Sequence, residues 1–183
     1  IKQASIRALE QGVTKYQATF GDHKLREAIQ AKLANENKIY ASVDDIMVTP
    51  GAKFSIFLAL QALVQPGDKV VVLDPSWVSH ACIPQLMGAE LLRVPTVEAE
   101  GFQPDLDLVA AALAQKPKAI IVNSPCNPTG AVYPPDTIRR ITEMAEQSGT
   151  LVISDEIYEA LLYEGELYSP ASEFDNVFTV NGF

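Results

Sequence analysis

The chain is poor in cysteine and in basic residues, and it has no long hydrophobic run. Its 183 residues include two cysteines, Cys82 and Cys126, which cannot form a disulfide framework and favour a reducing compartment. Lysine and arginine number 14 against 23 acidic residues, and the net charge of −9 disfavours a nucleic-acid partner. The apolar stretches are too short to span a bilayer. We therefore expect a cytoplasmic protein with neither nucleic-acid nor membrane partners.

Alternating strand and helix patterns are what the sequence does contain. Hydrophobic residues make up 48% of the chain, enough for one sizeable core. Periodicity and turn residues predict strands over 45–49, 69–73, 90–94, 118–122, 150–154 and 177–180. They predict helices over 22–35, 53–64, 78–87, 105–115 and 134–148, with Pro84 kinking or shortening the third. This alternation predicts one α/β domain with three layers, α/β/α, around a mostly parallel, mixed sheet.

Polar and aromatic residues follow four of the predicted strands. The loops after these strands carry Gly51-Ala52-Lys53, Trp77, Asn127 and Asp155. In an open α/β sheet the carboxyl ends of the parallel strands form the crevice where ligands bind. We therefore expect these residues, with Tyr158 three positions after Asp155, to lie at one rim.

Each of these residues has an ordinary structural interpretation beside a functional one. Gly51-Ala52-Lys53 is either a simple strand-to-helix turn or an anion site at a helix N-terminus, and no nucleotide-binding glycine motif supports a nucleotide. Trp77 either anchors the core or stacks on a planar ring. Asp155 either caps the next segment or holds a heterocyclic N–H⁺. Asn127-Pro128 is either only a turn or, with a cis bond, an amide aimed inward.

Taken together, the functional interpretations describe a single ligand. It has an aromatic ring against Trp77, a basic ring nitrogen at Asp155, a ring oxygen near Asn127 and Tyr158, and a phosphate at the start of the helix. Pyridoxal phosphate carries all of these groups. The two histidines and two cysteines form no metal-binding set, and Cys126 has no basic partner, so it is interpreted as an apolar filler.

The same motifs resemble a known family across nearly the whole chain. They are Tyr16, Gly21, Leu25-Arg26-Glu27-Ala28-Ile29, Thr49-Pro50-Gly51-Ala52-Lys53, Asp74-Pro75-Ser76-Trp77, Asn123-Ser124-Pro125-Cys126-Asn127-Pro128-Thr129-Gly130, Ser154-Asp155-Glu156-Ile157-Tyr158 and Thr179-Val180-Asn181-Gly182-Phe183. The combination resembles the large, cofactor-binding domain of class I, fold-type I pyridoxal-phosphate aminotransferases. It is most similar to the bacterial aspartate aminotransferase branch.

The resemblance implies a role for each site residue. Backbone N–H groups of Ala52 and Lys53, in the Gly51 turn, would hold the phosphate, and Trp77 would stack on the pyridine ring. Asn127 and Tyr158 would bind the ring oxygen, and Asp155 would keep the ring nitrogen protonated. Family members are homodimers, so Tyr16 would reach the phosphate of the other subunit.

The sequence departs from the family pattern at both ends. The chain opens at Ile1 without a methionine, and the family's Schiff-base lysine, expected just after Phe183, falls outside it. No lysine in the chain matches that position. We expect residues 1–183 to be a fragment of a competent enzyme that lacks the N-terminal arm and the C-terminal small domain. Such a fragment should not transaminate by itself and should form no Schiff base with pyridoxal phosphate.

Three functions stay open from the sequence. The first is an aminotransferase that moves an amino group from an L-amino acid, with aspartate as a candidate, to a 2-oxo acid. The second is another fold-type I enzyme, such as a C–S lyase or a decarboxylating synthase. The third is a non-enzymatic, aminotransferase-like cofactor-sensing domain, which an upstream helix-turn-helix would support.

Overall fold

The fold is a five-stranded sheet with helices on both faces. The computed structural model of the chain describes residues 1–182. Its strands are β1 (Lys69–Asp74), β2 (Glu90–Pro95), β3 (Ala119–Asn123), β4 (Leu151–Asp155) and β5 (Val177–Val180). Its α-helices are α1 (Lys2–Glu10), α2 (His23–Lys32), α3 (Ala52–Leu63), α4 (Val78–Leu86), α5 (Leu106–Leu113) and α6 (Pro135–Ser148). A π-helical segment (Leu33–Asn37) extends α2, and short 3₁₀ turns cover Val43–Asp45, Glu98–Glu100, Glu159–Leu161 and Pro170–Ser172.

The strand order places a ligand crevice between β1 and β3. The order across the sheet is β2-β1-β3-β4-β5, and each neighbouring pair is parallel. The predicted α/β fold with a mostly parallel sheet is therefore confirmed. The sheet was also expected to be mixed, but within residues 1–182 it contains no antiparallel pair. From β1 the chain moves to β2 on one side and then returns to β3 on the other. Such a reversal opens a crevice at the carboxyl ends of the two central strands.

Two hydrophobic cores lie on the two faces of the sheet. Alternate strand residues such as Val71, Ile120 and Val152 join α5 and α6 on one face. Their neighbours, including Ile121 and Ile153, join α3 and α4 on the other face. Burial of each large aliphatic side chain contributes about 1.5–3 kcal/mol. This double burial explains why the strand sequences are continuously apolar, and it confirms the predicted three layers.

The predicted strand over 45–49 is wrong. Ser42 and Asp45 form a capping box, in which each side chain bonds the other's backbone N–H, and this fixes Val43–Asp45 as a 3₁₀ turn. The segment that follows is tied to the N-terminal region by a bond from the Val48 N–H to the Phe20 carbonyl, 3.0 Å long. Among the described residues it joins no strand ladder.

Two helices also differ from the sequence prediction. Helix α1 was not predicted, and none of its own residues is buried in the part of the chain that the structure describes. Helix α4 continues through Pro84 to Leu86, so proline does not shorten it. Within residues 1–182 no helix is both long and apolar enough to cross a membrane.

Candidate cofactor site

The N-terminus of α3 offers unpaired backbone N–H groups at the crevice. Gly51 precedes the helix with φ of 95°, a conformation that favours glycine. The first N–H groups of a helix, here those of Ala52 and Lys53, have no carbonyl within the helix to bond. No side chain in residues 1–182 caps this end. The predicted anion site therefore has a suitable helix end, although no strand precedes it.

A small cavity joins this helix end to the ends of the central strands. Its volume is about 90 Å³, and its lining comprises Ala52, Trp77, Asn123, Asn127, Asp155, Ile157 and Tyr158. The structure therefore brings together five of the residues that the sequence singled out. Lys53 does not line the cavity, but its ammonium lies 5.0 Å from the centroid of the Trp77 ring.

Asp155 is buried at the end of β4 and is met by a histidine that the sequence reasoning missed. The carboxylate is 2% exposed, and its Oδ2 lies 2.9 Å from Nε2 of His80. The His80 ring also packs edge-on against Trp77, with 5.4 Å between the ring centroids. The only sequence signal for His80 was its position three residues after Trp77 at the start of α4. Burial of a carboxylate is costly unless polar groups meet it, and here the imidazole does so.

Asn127 and Tyr158 form a second polar contact on the cavity wall. The Asn127 amide Nδ2 lies 3.3 Å from the Tyr158 hydroxyl, and the Asn127-Pro128 bond is cis. Asn123 fixes this loop to the strand end: its Oδ1 accepts from the Asn127 N–H at 2.8 Å, and its Nδ2 donates to the Asp155 carbonyl at 2.9 Å. The amide of Asn123 thus couples the loop that carries Asn127 to the end of β4, where Asp155 lies.

A larger cavity adjoins the first on the far side of this pair. It has a volume of about 670 Å³ and shares Asn127 and Tyr158 with the small cavity. Gln103, Cys126 and Glu164 are among its other lining residues. Cys126 is buried, as expected for an apolar filler. The pair therefore lies between a narrow cavity that contains the buried Asp155 and a wide one.

Tyr16 lies apart from both cavities. Its side chain is fully exposed, and it is not among the residues that line either cavity. A role for Tyr16 in a partner's site stays a prediction.

Comparison with known proteins identifies the family. The family model described as "Aminotransferase class I and II" matches residues 1–183. The chain therefore belongs to this family. Class I aminotransferases use pyridoxal phosphate.

The relatives include enzymes with several substrate names. The chain is 44% identical over 183 residues to the probable aspartate/prephenate aminotransferase of Thermus aquaticus, matching all of this chain and 48% of the relative. The structure of Thermus thermophilus aspartate aminotransferase with maleate superimposes with a TM-score of 0.96 at 43% identity, covering 99% of this chain and 48% of that one. An aromatic aminotransferase from Pyrococcus horikoshii gives 0.95 at 37% identity, covering 100% of this chain and 50% of that one. The chain spans about half the length of the curated relatives it matches.

The donor set in the cavity fits pyridoxal phosphate. A buried carboxylate suits a protonated ring nitrogen, an amide and a phenol suit a ring oxygen, and free N–H groups at a helix end suit a phosphate.

Proposed function

We propose that residues 1–183 are the cofactor-binding large domain of a pyridoxal-phosphate-dependent aminotransferase. The observation that carries the proposal is the cavity in which the buried Asp155, the Asn127–Tyr158 pair and the Trp77 ring converge beside the start of α3. The family match supports the same conclusion independently.

Asp155 is assigned to the ring nitrogen of the cofactor. When bound, pyridoxal phosphate supplies a protonated ring that accepts the electrons released when an amino acid loses its α-proton. An ionised Asp155 favours the protonated form of a nitrogen placed beside it. In the tautomer with the proton on Nε2, His80 donates to Oδ2 and so orients the carboxylate.

The other lining residues are assigned to the remaining groups of the cofactor. Asn127 and Tyr158 each carry a hydrogen-bonding group for the ring oxygen, and the aromatic ring of Trp77, which lines the cavity, is assigned to stacking on the cofactor ring. The phosphate is assigned to the N–H groups of Ala52 and Lys53, which begin α3 directly after Gly51. The helix dipole favours an anion at this end.

We assign the whole protein to amino transfer from an L-amino acid to a 2-oxo acid. The names of the relatives support aspartate as the first amino donor to test. The same names also include prephenate. The aromatic enzyme shares this half of the fold at a similar TM-score, so the fold of this half does not by itself identify the substrate.

The half-reaction of the full-length protein tests this function. The protein, loaded with pyridoxal phosphate, is mixed with L-aspartate and followed by absorbance. We expect the bound cofactor to convert to pyridoxamine phosphate and to be restored by a 2-oxo acid. Release of carbon dioxide from the amino acid, or of sulfide when a sulfur-containing amino acid replaces aspartate, without the pyridoxamine form, would instead indicate a decarboxylating synthase or a C–S lyase. If the full-length protein does not bind pyridoxal phosphate, the proposed function is refuted.

We also propose that the whole protein is a cytoplasmic homodimer in which Tyr16 reaches the partner's phosphate. Exposed apolar residues near the N-terminus, including Ile6, Leu9 and Val13, support a subunit contact there. Light scattering of the full-length protein measures its mass and so tests whether it is a dimer.

A further inference from the structure

Glu156 is a buried carboxyl group that the proposed chemistry does not use. It directly follows Asp155, is 2% exposed and does not line the small cavity. Successive side chains at the end of a strand point to opposite sides. Glu156 therefore faces away from the cavity, toward the π-helical segment and the loop near residue 169.

Three polar side chains meet this carboxyl group. Ser154 Oγ donates to its Oε1 at 2.8 Å, and Ser169 Oγ donates to its Oε2 at 2.5 Å. Asn37 Nδ2 lies 3.3 Å from the same Oε2 and 3.0 Å from Ser169 Oγ. One side chain thus ties β4 to two segments that are distant in the sequence.

A second carboxyl group belongs to the same cluster. Asn37 Nδ2 donates to Glu159 Oε2 at 2.7 Å, and Lys32 Nζ donates to Asn37 Oδ1 at 2.8 Å while it also pairs with Glu159. We call this set the Glu156 cluster; it comprises Lys32, Asn37, Ser154, Glu156, Glu159 and Ser169. It holds the chain on both sides of Tyr158, at position 156 and at position 159.

The turn that carries Tyr158 also has local hydrogen bonds: the Glu159 N–H donates to the Glu156 carbonyl at 2.9 Å, the Leu161 N–H to the Tyr158 carbonyl at 2.8 Å, and the Ile157 N–H to Asp155 Oδ1 at 3.3 Å. The first two lie within the segment itself and do not attach it to the rest of the fold. The β4–β5 ladder ends with the bond from the Glu156 N–H to the Val180 carbonyl, at 2.8 Å. Asp155 lies inside that ladder, and Asn123 also holds its carbonyl. Tyr158 lies beyond it, and its hydroxyl has one long contact, 3.3 Å, with Asn127. The Glu156 cluster should therefore matter more for Tyr158 than for Asp155.

We propose that Glu156 is a positioning residue whose buried hydrogen bonds hold the 156–159 turn, and with it the Tyr158 hydroxyl, against the ring oxygen of the cofactor. The inference rests on the proposed function and deepens it. Glu156 itself touches neither cofactor nor substrate. Its effect reaches the cofactor through Tyr158.

The test compares four variants of the full-length holoenzyme: Glu156→Leu, Glu156→Gln, Tyr158→Phe and the double variant Glu156→Leu/Tyr158→Phe. Two quantities are measured for each, the Kd for pyridoxal phosphate and the pH midpoint of the visible absorbance of the bound cofactor. Glutamine keeps one carbonyl acceptor, and serine hydroxyls can rotate to meet its amide, so it is the matched conservative change.

We expect Glu156→Leu to move the pH midpoint in the same direction as Tyr158→Phe and to weaken cofactor binding about tenfold, on the scale of one lost hydrogen bond. Glu156→Gln should stay within about twofold of wild type on that scale. The double variant should show little further change, because both substitutions remove the same contact.

Two results would overturn the inference. The first is a Glu156→Leu protein whose melting temperature falls while its pH midpoint stays at the wild-type value. The second is a double variant whose shift equals the sum of the single shifts. If Glu156→Leu does not fold, Ser169→Ala replaces it, with a smaller shift in the same direction expected and an unchanged midpoint refuting the role. Wild-type protein that binds no pyridoxal phosphate would count against the proposed function instead.

Discussion

Asp155 and Glu156 are consecutive carboxyl groups, equally buried, whose surroundings on the two sides of the strand end differ. Asp155 faces a cavity and has the imidazole of His80 beside it. Glu156 faces the protein interior, where Ser154 and Ser169 donate to it. Burial alone thus does not distinguish the carboxylate that we propose binds the cofactor from the one that we propose is a positioning group. The direction of the side chain and the space in front of it do.

The two sides also differ in how charge is balanced. Burial raises the pKa of Glu156 to about 7, despite the opposing hydrogen bonds from the two serines. For Glu159, burial acts in the same direction, but the hydrogen bonds from Lys32 and Asn37 outweigh it and lower the pKa. In the Glu156 cluster the one ammonium group therefore serves Glu159, and Glu156 is left with neutral donors. Among Asp155, Glu156 and Glu159, it is Asp155 that lines a cavity, from which a cationic group of a ligand can approach.

Removal of the cavity carboxylate should have the largest effect. We expect Asp155→Ala in the full-length enzyme to lower the rate of transamination at least about a hundredfold, as for loss of a preorganised electrostatic contact, while pyridoxal phosphate still binds. Glu156 cannot substitute, since it points the other way. Single-turnover kinetics and cofactor content measure the two effects. Asp175→Ala, an exposed carboxyl before β5, is the control. Turnover near wild type in Asp155→Ala would refute the assignment.

Replacement of the interior carboxyl group should change the pH dependence of stability. Because the folded-state pKa of Glu156 is raised to about 7 from 4.5, the folded protein binds this proton more readily than the unfolded chain. Its contribution to stability therefore declines as pH rises from 4.5 to 7 and is level above that. Relative to Glu156→Gln, wild type should lose roughly 2–3 kcal/mol of unfolding free energy between pH 5 and pH 8.

Urea unfolding of the cofactor-free, full-length proteins across this range measures the difference. The pH-dependent contributions of titrating groups outside the Glu156 cluster cancel in the comparison of wild type with Glu156→Gln. Parallel stability profiles for the two proteins would contradict the raised pKa.

The sheet was predictable because its strands are buried on both faces. Continuous apolar runs such as 119–122 have no other plausible location, and five of the six predicted strands are confirmed. The segment 45–49 has a similar run of three apolar residues. The capping box of Ser42 and Asp45 makes a 3₁₀ turn just before these apolar residues. The apolar pattern gives no sign of this turn. Local hydrogen bonding decided the structure there, and hydrophobicity did not.

The cavity was partly predictable for a related reason. Asp155 ends β4, and Trp77 and Asn127 lie in the loops after β1 and β3, so the topology of a parallel sheet brings them together. His80 and two of the partners of Glu156, Asn37 and Ser169, lie on other elements. His80 is 75 residues from Asp155, and Asn37 is 119 residues from Glu156. Sequence periodicity reports which face of an element is buried. It does not report which distant polar group that face will meet.

An exposed carboxyl group gives the smallest expected effect and sharpens the comparison. Glu173 accepts two hydrogen bonds from Arg139, at 3.0 and 3.1 Å, and these lower its pKa. This pKa shift is opposite in sign to that of Glu156. The contribution of Glu173 to stability is therefore present above its ordinary pKa and is lost as pH falls below it. Solvent screens this pair, so Glu173→Gln should lower the melting temperature at pH 7 by no more than about 2 °C. Calorimetry at pH 7 and pH 4 tests both points. The comparison fails if Glu173→Gln lowers the melting temperature as much as a Glu156 variant does, or if this decrease grows toward pH 4. Either result would show that burial is not what separates the two kinds of carboxyl group.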